Sequence, residues 1–466
     1  MISGAIEQKE SINKFYLATL SFIAAIGGFL FGFDTAVISG TLHFVQAQFA
    51  MSPTMEGWFV SSALLGAIIG VAFAGKLSDS AGRKNVLLLS ALLFLISGIG
   101  CGFAPDQSWL ITYRFIGGMG VGVASIISPL YISEFAPAKY RGSLVSVYQL
   151  AITIGILVAY FSNAMLLKLS TGHLFANSLL HWIINLEVWR VMFVMYAFPA
   201  IIFFLLLLIV PESPRWLAMK GKNDKAFLYL SKLNGPISAK RELEEIKEAA
   251  KEETGSLRML LEPKYRVPLI IGLSLPILSQ FSGINAIIYY GPKILEQAGF
   301  QLSGALGGQV TIGLINVFFT IIAVFMIDKW GRKPLLIAGI SGAIVSLAVC
   351  GILFAKGITD GPWILISILA YISCFAFSFG PICWVIIGEI YPNSIRGRAM
   401  SVATLTLWIG VFIVGWLTPI MLNGIGAAFT FWIFALLCIP ALFITLKIIP
   451  ETKGKSLEEI ERHWNK

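Results

Sequence analysis

The chain has 466 residues and a formal net charge of +9; 57% of its residues are hydrophobic and only 13% are charged. A water-soluble domain carries about a quarter of its residues charged, so this chain cannot cover a water-facing surface and its solvent is mostly lipid. The basic residues are spread through short segments between apolar runs rather than gathered in one patch, which argues against a nucleic-acid partner.

The N-terminus carries Glu7, Lys9, Glu10 and Lys14, followed by an apolar run too long for the core of a signal peptide and lacking a small-residue cleavage site after it. That run is expected to be a retained first span. Crossing the hydrocarbon core takes roughly 20 apolar residues, and runs of that length in lipid are helices. Twelve occur, at 15–39, 57–78, 86–104, 109–133, 143–166, 188–210, 267–290, 304–327, 335–355, 362–389, 397–421 and 426–449. The segment 211–266 breaks the series. It is rich in Lys and Glu, and RELEEIKEAAKEE has helical charge spacing, so short amphipathic helices are expected there. The expected organisation is a six-helix bundle over 1–210, a linker over 211–266, a second bundle over 267–449 and a tail over 450–466.

Orientation follows from the Lys and Arg between runs. One set of loops holds Lys76, Arg83 and Lys84, then Lys139 and Arg141, then Lys329, Arg332 and Lys333, then Arg396 and Arg398. The opposite loops hold Lys168, Lys293 and Lys356, with Arg190 at the edge of the sixth span. Positive loops stay in the cytoplasm, which puts both termini, the linker and the tail on that side.

The two halves repeat. GKLSDSAGRK at 75–84 is echoed by FMIDKWGRKP at 325–334, ISEFAPAKYRG at 132–142 by IGEIYPNSIRG at 387–397, and PESPR at 211–215 by PETKG at 450–454. Two such halves related by an axis along the membrane normal enclose a central cavity and can rock around it. The charged residues of these motifs are Asp79, Arg83, Glu134, Arg141, Glu212, Arg215, Asp328, Arg332, Glu389 and Arg396. Asp79 and Asp328 can pair with nearby guanidinium groups or cap helix ends; Glu134 with Arg141, and Glu389 with Arg396, can pair between helices. They read as a cytoplasmic gate, the alternative being topology and helix-end electrostatics alone.

Two charges lie at membrane depth, Asp34 in FLFGFDTAVISG and Arg114 in ITYRFIGGMG. Such a charge costs about 2.5–3.5 kcal/mol to insert and needs a cavity or a partner, and each is the other's candidate partner. If their separation changes between conformations, Asp34 can gain and lose a proton once per cycle. A permanent ion pair that only orients helices is the alternative. Cys101, Cys350, Cys374, Cys383 and Cys438 all lie in apolar runs without ligand spacing, and His43, His173, His181 and His463 form no metal motif. No metal, cofactor or enzymatic nucleophile–base pair is expected.

At these motifs the sequence resembles the sugar porter family of the major facilitator superfamily. The stretches that carry the resemblance are RGSLVSVYQLAITIGIL at 141–157, PESPRWL at 211–217, QFSGINAIIYY at 280–290, DKWGRKPL at 328–335, GPICWVIIGEIYPNSIRGRA at 380–399 and PETKGKSLEEIE at 450–461, with GRK after the second and eighth spans. It is most similar to the bacterial xylose/proton symporter subgroup. The resemblance implies an all-α membrane protein of twelve transmembrane helices in two pseudo-symmetric six-helix bundles, the major facilitator fold. It implies proton-coupled transport of a pentose or hexose by alternating access across a bacterial inner membrane, by a monomer whose partners are the sugar, the proton and the bilayer. The aspartate at Asp34 is the residue of proton-coupled members, with Arg114 as its partner.

The resemblance also places sugar contacts at Gln149, Gln280, Asn285, Asn316, Phe375 and Trp384, and an extracellular gate at Tyr289. Sugar recognition uses amides around a ring of hydroxyls and aromatic faces against its C–H surface, whereas a span amide taken alone serves as interhelical glue. The sequence departs from the family at Ser279, where the family often has a glutamine, and at Ile156 and Leu407, where the xylose symporters have glutamines at or near these positions. Fewer polar partners change which hydroxyls are rewarded, so the choice of sugar stays open. The glycines of GAIIG at 66–70 and GGMGVG at 117–122 read as close helix packing within the monomer. A facilitative uniporter, a non-transporting sugar sensor and a membrane enzyme are the competing classes. Asp34 argues against the first, the short tail against the second and the missing catalytic constellation against the third.

Overall fold

The structure, a computed structural model, describes residues 12–171, 181–249, 257–359, 361–391, 393–453 and 459–460; the side chain of Asp328 is outside what is described. Among the described residues, twelve helical segments are long and apolar enough to cross a membrane. The first five spans are single helices, α1 Lys14–Phe49, α2 Pro53–Ala81, α3 Arg83–Gly102, α4 Gln107–Phe135 and α5 Ala138–Thr171, and the sixth is α6 Val188–Val194 with α7 Ala197–Ile209. Three short helices follow, α8 Pro214–Met219, α9 Asn223–Asn234 and α10 Pro236–Ala249. The seventh span is α11 Arg266–Phe281 with α12 Ile284–Gln297, the eighth α13 Leu302–Trp330, and the ninth α14 Arg332–Ala355. The tenth is α15 Trp363–Phe377 with α16 Phe379–Ile390, and α17 Asn393–Gly424 and α18 Gly426–Lys447 complete the set.

Helix ends follow local chemistry. Asn13, Ser52, Asp106 and Ser213 each accept an N-cap hydrogen bond from the third residue on, and Pro53 and Pro214 open their helices where a missing N–H costs nothing. The first span extends well past its apolar run because its polar end is partnered: Gln48 donates to Glu187 at 2.8 Å and accepts from the Trp189 indole at 2.7 Å.

The seventh span breaks at Gly283, whose φ of +88° an L side chain rarely adopts and whose Cβ would meet the Phe434 ring at 2.5 Å. The carbonyl of Ser282, freed by the break, accepts the Tyr371 hydroxyl at 2.9 Å. The tenth span breaks at Ser378, whose hydroxyl returns to the Cys374 carbonyl at 2.5 Å. The apolar runs alone give no sign of either interruption.

The small-residue motifs interlock inside the chain. A methyl on Gly118 would fall on the Ala63 carbonyl oxygen, one on Gly66 on that of Phe115, and one on Gly122 on that of Ala67, so α2 and α4 meet backbone to backbone. The two halves touch at the end opposite the Gly-Arg-Lys turns. There Glu56 of α2 pairs with Lys293 of α12 at 2.5 Å, and the Tyr160 hydroxyl of α5 donates to the Ile288 carbonyl at 3.1 Å. Gly57 also sits against the backbone of Trp416 in α17. At the basic end, Gly142, Gly388 and Gly397 have no atom within 4 Å of where a Cβ would stand. The contacts just described between the halves lie at the first end. On its basic face, α8–α10 bury Trp216, Leu217, Ala226, Leu230, Ala239 and Leu243 in a small core of their own. They are tied to the spans by the Asn13 N–H to the Leu233 carbonyl and the Trp216 indole to the Asp79 carbonyl.

Candidate functional site

Asp34 and Arg114, expected to partner each other, do so. The guanidinium Nη1 donates to Asp34 Oδ1 at 2.8 Å, and both residues are 3% exposed. The pair is reached because glycines let the helices close in: Gly32 brings α1 onto the α5 backbone, and a Cβ on Gly117 would stand 3.6 Å from Asp34 Oδ1. The Phe193 ring lies 5.9 Å from the Arg114 guanidinium, while Arg114 Nε is buried without a hydrogen-bond acceptor. A buried donor left unmade costs about 1–3 kcal/mol, so this pair is not a fully satisfied resting contact. Asp34, Arg114, Tyr289 and Trp408 line a cavity of about 10 Å³. That is room for one water and not for a sugar.

The break in the seventh span brings two of the expected amides together. Gln280 ends α11 and Asn285 opens α12, and Asn285 Nδ2 donates to Gln280 Oε1 at 2.6 Å. Ser279 stands where the resemblance leads one to expect an amide, and it is not an idle substitute. Its hydroxyl accepts Gln280 Nε2 at 3.0 Å and donates to the Pro276 carbonyl at 2.6 Å, which holds the Gln280 side chain in place. Gln149 on α5 and Asn316 on α13 are separate from this pair: among the described residues no hydrogen bond joins either to it. Asn316 is buried and Gln149 half-buried. Phe375 and Trp384 fall on either side of the tenth-span break, both half-buried, with Phe375 between the rings of Tyr371 and Phe379. Tyr289 is 3% exposed at the contact between the halves, beside the Asp34 pair.

At the basic end the repeat in the sequence becomes a repeat in geometry. Glu212 accepts the backbone N–H groups of Arg83 and Lys84 at the start of α3; Glu451 accepts those of Arg332 and Lys333 at the start of α14. Arg83 then pairs with Glu134 at 3.0 Å, and Arg332 with Glu389 at 2.9 Å. Glu134 therefore takes Arg83 rather than Arg141, and Glu389 takes Arg332 rather than Arg396. Arg396 donates to the Tyr391 carbonyl, and the charge of Arg141 acts on Glu242 in α10. The reason is position: Arg83 and Arg332 begin helices packed against those that carry the glutamates. Asp79 pairs with Arg83 one turn away at 3.2 Å, largely exposed, and Arg215 is exposed. Burial lifts the Glu212 carboxyl above its usual value despite its backbone donors. At Glu451 burial pushes the same way, but the N–H groups of Lys453, Arg332, Lys333 and Thr452 outweigh it and hold the carboxyl below.

Three residues were not singled out from the sequence. Glu56 and Lys293 each sit beside a loop, where a charge raises no question, and Trp408 is one aromatic among many in its run. Its neighbour Leu407, a departure from the family pattern, was the available signal. Trp408 is 3% exposed and packs on Phe31 with ring centroids 5.4 Å apart. Other span amides are glue. Asn163 donates to the Val37 carbonyl, and Gln309 to those of Ile287 and Ile288.

A family profile described as sugar (and other) transporter matches residues 20–464. The chain is 42% identical to the arabinose-proton symporter of Bacillus subtilis (strain 168), over 97% of this chain and 96% of that one. It is 37% identical to the D-xylose-proton symporter of Escherichia coli (strain K12), over 97% and 96%. Among solved structures, the inward open conformation of the xylose transporter XylE from E. coli superposes with a TM-score of 0.82 at 36% identity, over 96% of this chain and 100% of that one. The proton:xylose symporter XylE bound to 6-bromo-6-deoxy-D-glucose gives 0.80 at 36%, over 97% and 100%. With twelve spans in two repeated bundles and a match that runs almost from end to end, the chain belongs to the sugar transporter family of the major facilitator superfamily.

Proposed function

We propose that this protein carries a monosaccharide together with a proton into the cytoplasm by alternating access, as a monomer in a bacterial inner membrane with both termini cytoplasmic. The observation that carries the reading is the buried Asp34–Arg114 pair, 2.8 Å apart with one guanidinium donor unmet, beside a one-water cavity at the contact between the halves. An aspartate so placed holds its charge only while the arginine is close. When the transport cycle shifts α1 against α4 within the first half and the pair loosens, Asp34 takes up a proton from one side and releases it on the other. The sugar is held by Gln149, Gln280, Asn285 and Asn316 against Phe375 and Trp384, with Tyr289 above it on the extracellular side. The curated relatives named as arabinose- and xylose-proton symporters support a pentose, with hexoses as the competing class. The Gly-Arg-Lys and Arg–Glu network is the cytoplasmic gate.

The test is uptake by reconstituted proteoliposomes under an imposed pH gradient, against pentoses, hexoses and polyols. Asp34→Asn is expected to abolish uphill accumulation while sugar exchange continues. Gradient-driven accumulation by that variant would refute proton coupling through Asp34 and leave the pair as a helix-orienting contact.

A further inference from the structure

A cavity of about 680 Å³ lies outside the contact between the halves, at the basic end of the first one. Its walls are the start of α1, the start of α3, the end of α7 and the helices α8 and α9. Lys84, Lys222, Lys225 and Lys232 line it, against a single carboxylate, that of Glu212. That carboxylate is already occupied by the backbone N–H groups of Arg83, Lys84 and Ser213, and the Lys84 ammonium donates to the Leu208 carbonyl at 2.9 Å, so the cavity keeps a surplus of positive charge, chiefly on Lys222, Lys225 and Lys232. Two of the ammonium groups are shelved on aromatic rings: Lys222 lies 5.4 Å from the Trp216 centroid and Lys232 6.0 Å from that of Tyr229. The rest of the lining is mostly apolar, with Thr19 and Asn85 as its polar members; Leu20 and Ile23 are buried in its floor, and Ile209, at the end of the sixth span, is 79% exposed. The cavity thus borders the end of the sixth span, where an apolar side chain is exposed.

We propose that this cavity is a binding site for an anionic glycerophospholipid, with the phosphate among Lys222, Lys225 and Lys232 and an acyl chain leaving past Ile209. Lysine is a point-charge partner for a phosphate, and a basic recess between spans at the membrane surface takes lipid headgroups. The volume suits a headgroup and the first part of its chains. The apolar exit along Ile209 favours a lipid over a soluble phosphate ester, which would leave that wall uncovered. An occupant here braces α9 against α1 and α3 beside Glu212, the residue that caps Arg83, and so acts on the first half's side of the gate. The orientation proposed above decides only which leaflet supplies the lipid.

The experiment is native mass spectrometry of the full chain released from nanodiscs, which expose both faces and require no transport, so its failure is separate from failure of the symport reading. Phosphatidylglycerol is titrated against phosphatidylcholine. The wild type is expected to retain phosphatidylglycerol preferentially. The triple variant Lys222→Gln, Lys225→Gln, Lys232→Gln is expected to lose at least about tenfold of that affinity, since it removes three positive charges from the recess. The three positions are exposed, so the fold is expected to survive, and the matching Lys→Arg triple variant should keep the lipid. Equal retention by wild type and the Gln variant overturns the site. Displacement of the lipid by inorganic phosphate or glycerol phosphate at equal concentration makes the ligand a soluble phosphate ester and overturns the lipid assignment.

Discussion

Glu56 and Lys293 join the two halves through a buried ion pair of 2.5 Å, with Glu56 fully enclosed and its second oxygen without a hydrogen-bond donor. Removing one partner of such a pair leaves an uncompensated buried charge and costs about 3–5 kcal/mol, whereas removing both is far less costly. In the proposed orientation this pair closes the extracellular end. Lys293→Met is therefore expected to drive that end open, seen as faster alkylation of a cysteine placed at Ser61, which faces the Phe412 carbonyl across the contact. The double variant Glu56→Gln, Lys293→Met should return toward wild-type labelling. Equal labelling in the single variant and wild type would show that the pair does not hold the closure.

The basic end makes the opposite kind of prediction. Gly142, Gly388 and Gly397 face open space, so a large side chain there is accommodated in the conformation seen here. Gly142→Trp and Gly397→Trp are expected to leave the melting temperature nearly unchanged, since such surface substitutions fall within about ±0.5 kcal/mol. They should block transport by propping the basic end apart. Wild-type uptake by both variants would mean that the halves do not approach each other there.

Gly118 behaves differently because its neighbour is backbone. A methyl there meets the Ala63 carbonyl oxygen, and neither α2 nor α4 can turn a backbone atom aside. Gly118→Ala is expected to lower stability by about 1–3 kcal/mol through overpacking. It should lower the melting temperature in detergent with sugar absent, where the gate variants leave it alone.

These contrasts mark what could be read from the chain in advance. The spans were legible because lipid tolerates few polar residues, and the Asp34–Arg114 pair because charges at membrane depth demand partners. The positions of Glu212, Arg83 and Glu134 and of their repeats were legible as charged motifs, but their pairing was not. The alternation of Glu134 with Arg141 in sequence suggested one partner, and the packing of α3 against α4 supplied another, Arg83. The Gln280–Asn285 contact rests on the helix break at Gly283, which hydropathy does not register. Glu56 and Lys293 escaped because a charge beside a loop is unremarkable until the fold buries it.

The repeated glutamates titrate in opposite directions, which gives a pH signature. Glu451 is held below the ordinary value, so its contribution to stability is complete above about pH 4.3, the unfolded value, and is lost as pH falls through the depressed folded one. Glu212 is lifted above the ordinary value, so its contribution is largest at low pH and declines as pH rises through the folded value. Melting temperatures from about pH 3 to 8 are expected to show Glu451→Gln with a steady deficit down to about pH 4.3 that shrinks only below it. For Glu212→Gln the wild type should gain on the variant as pH falls. Parallel curves for the two variants would show that the two caps are electrostatically equivalent.

In the proposed sugar site, the seventh-span break contributes Asn285 and, in Ser279, the residue that steadies its partner Gln280. Asn285→Ala removes the donor to Gln280 Oε1, now held only through Ser279, and removes an amide facing the proposed sugar. An unpaired buried polar group costs about 1–3 kcal/mol, so sugar affinity is expected to fall by roughly 5- to 150-fold. Ser279→Ala releases Gln280 Nε2 without removing any amide. Its loss should be smaller and should differ between sugars that present a hydroxyl to Gln280 and deoxy analogues that do not. Equilibrium binding of a panel of deoxy sugars to both variants measures this. If Asn285→Ala binds every sugar as the wild type does, the break positions the helix ends for packing alone, and the sugar is held elsewhere.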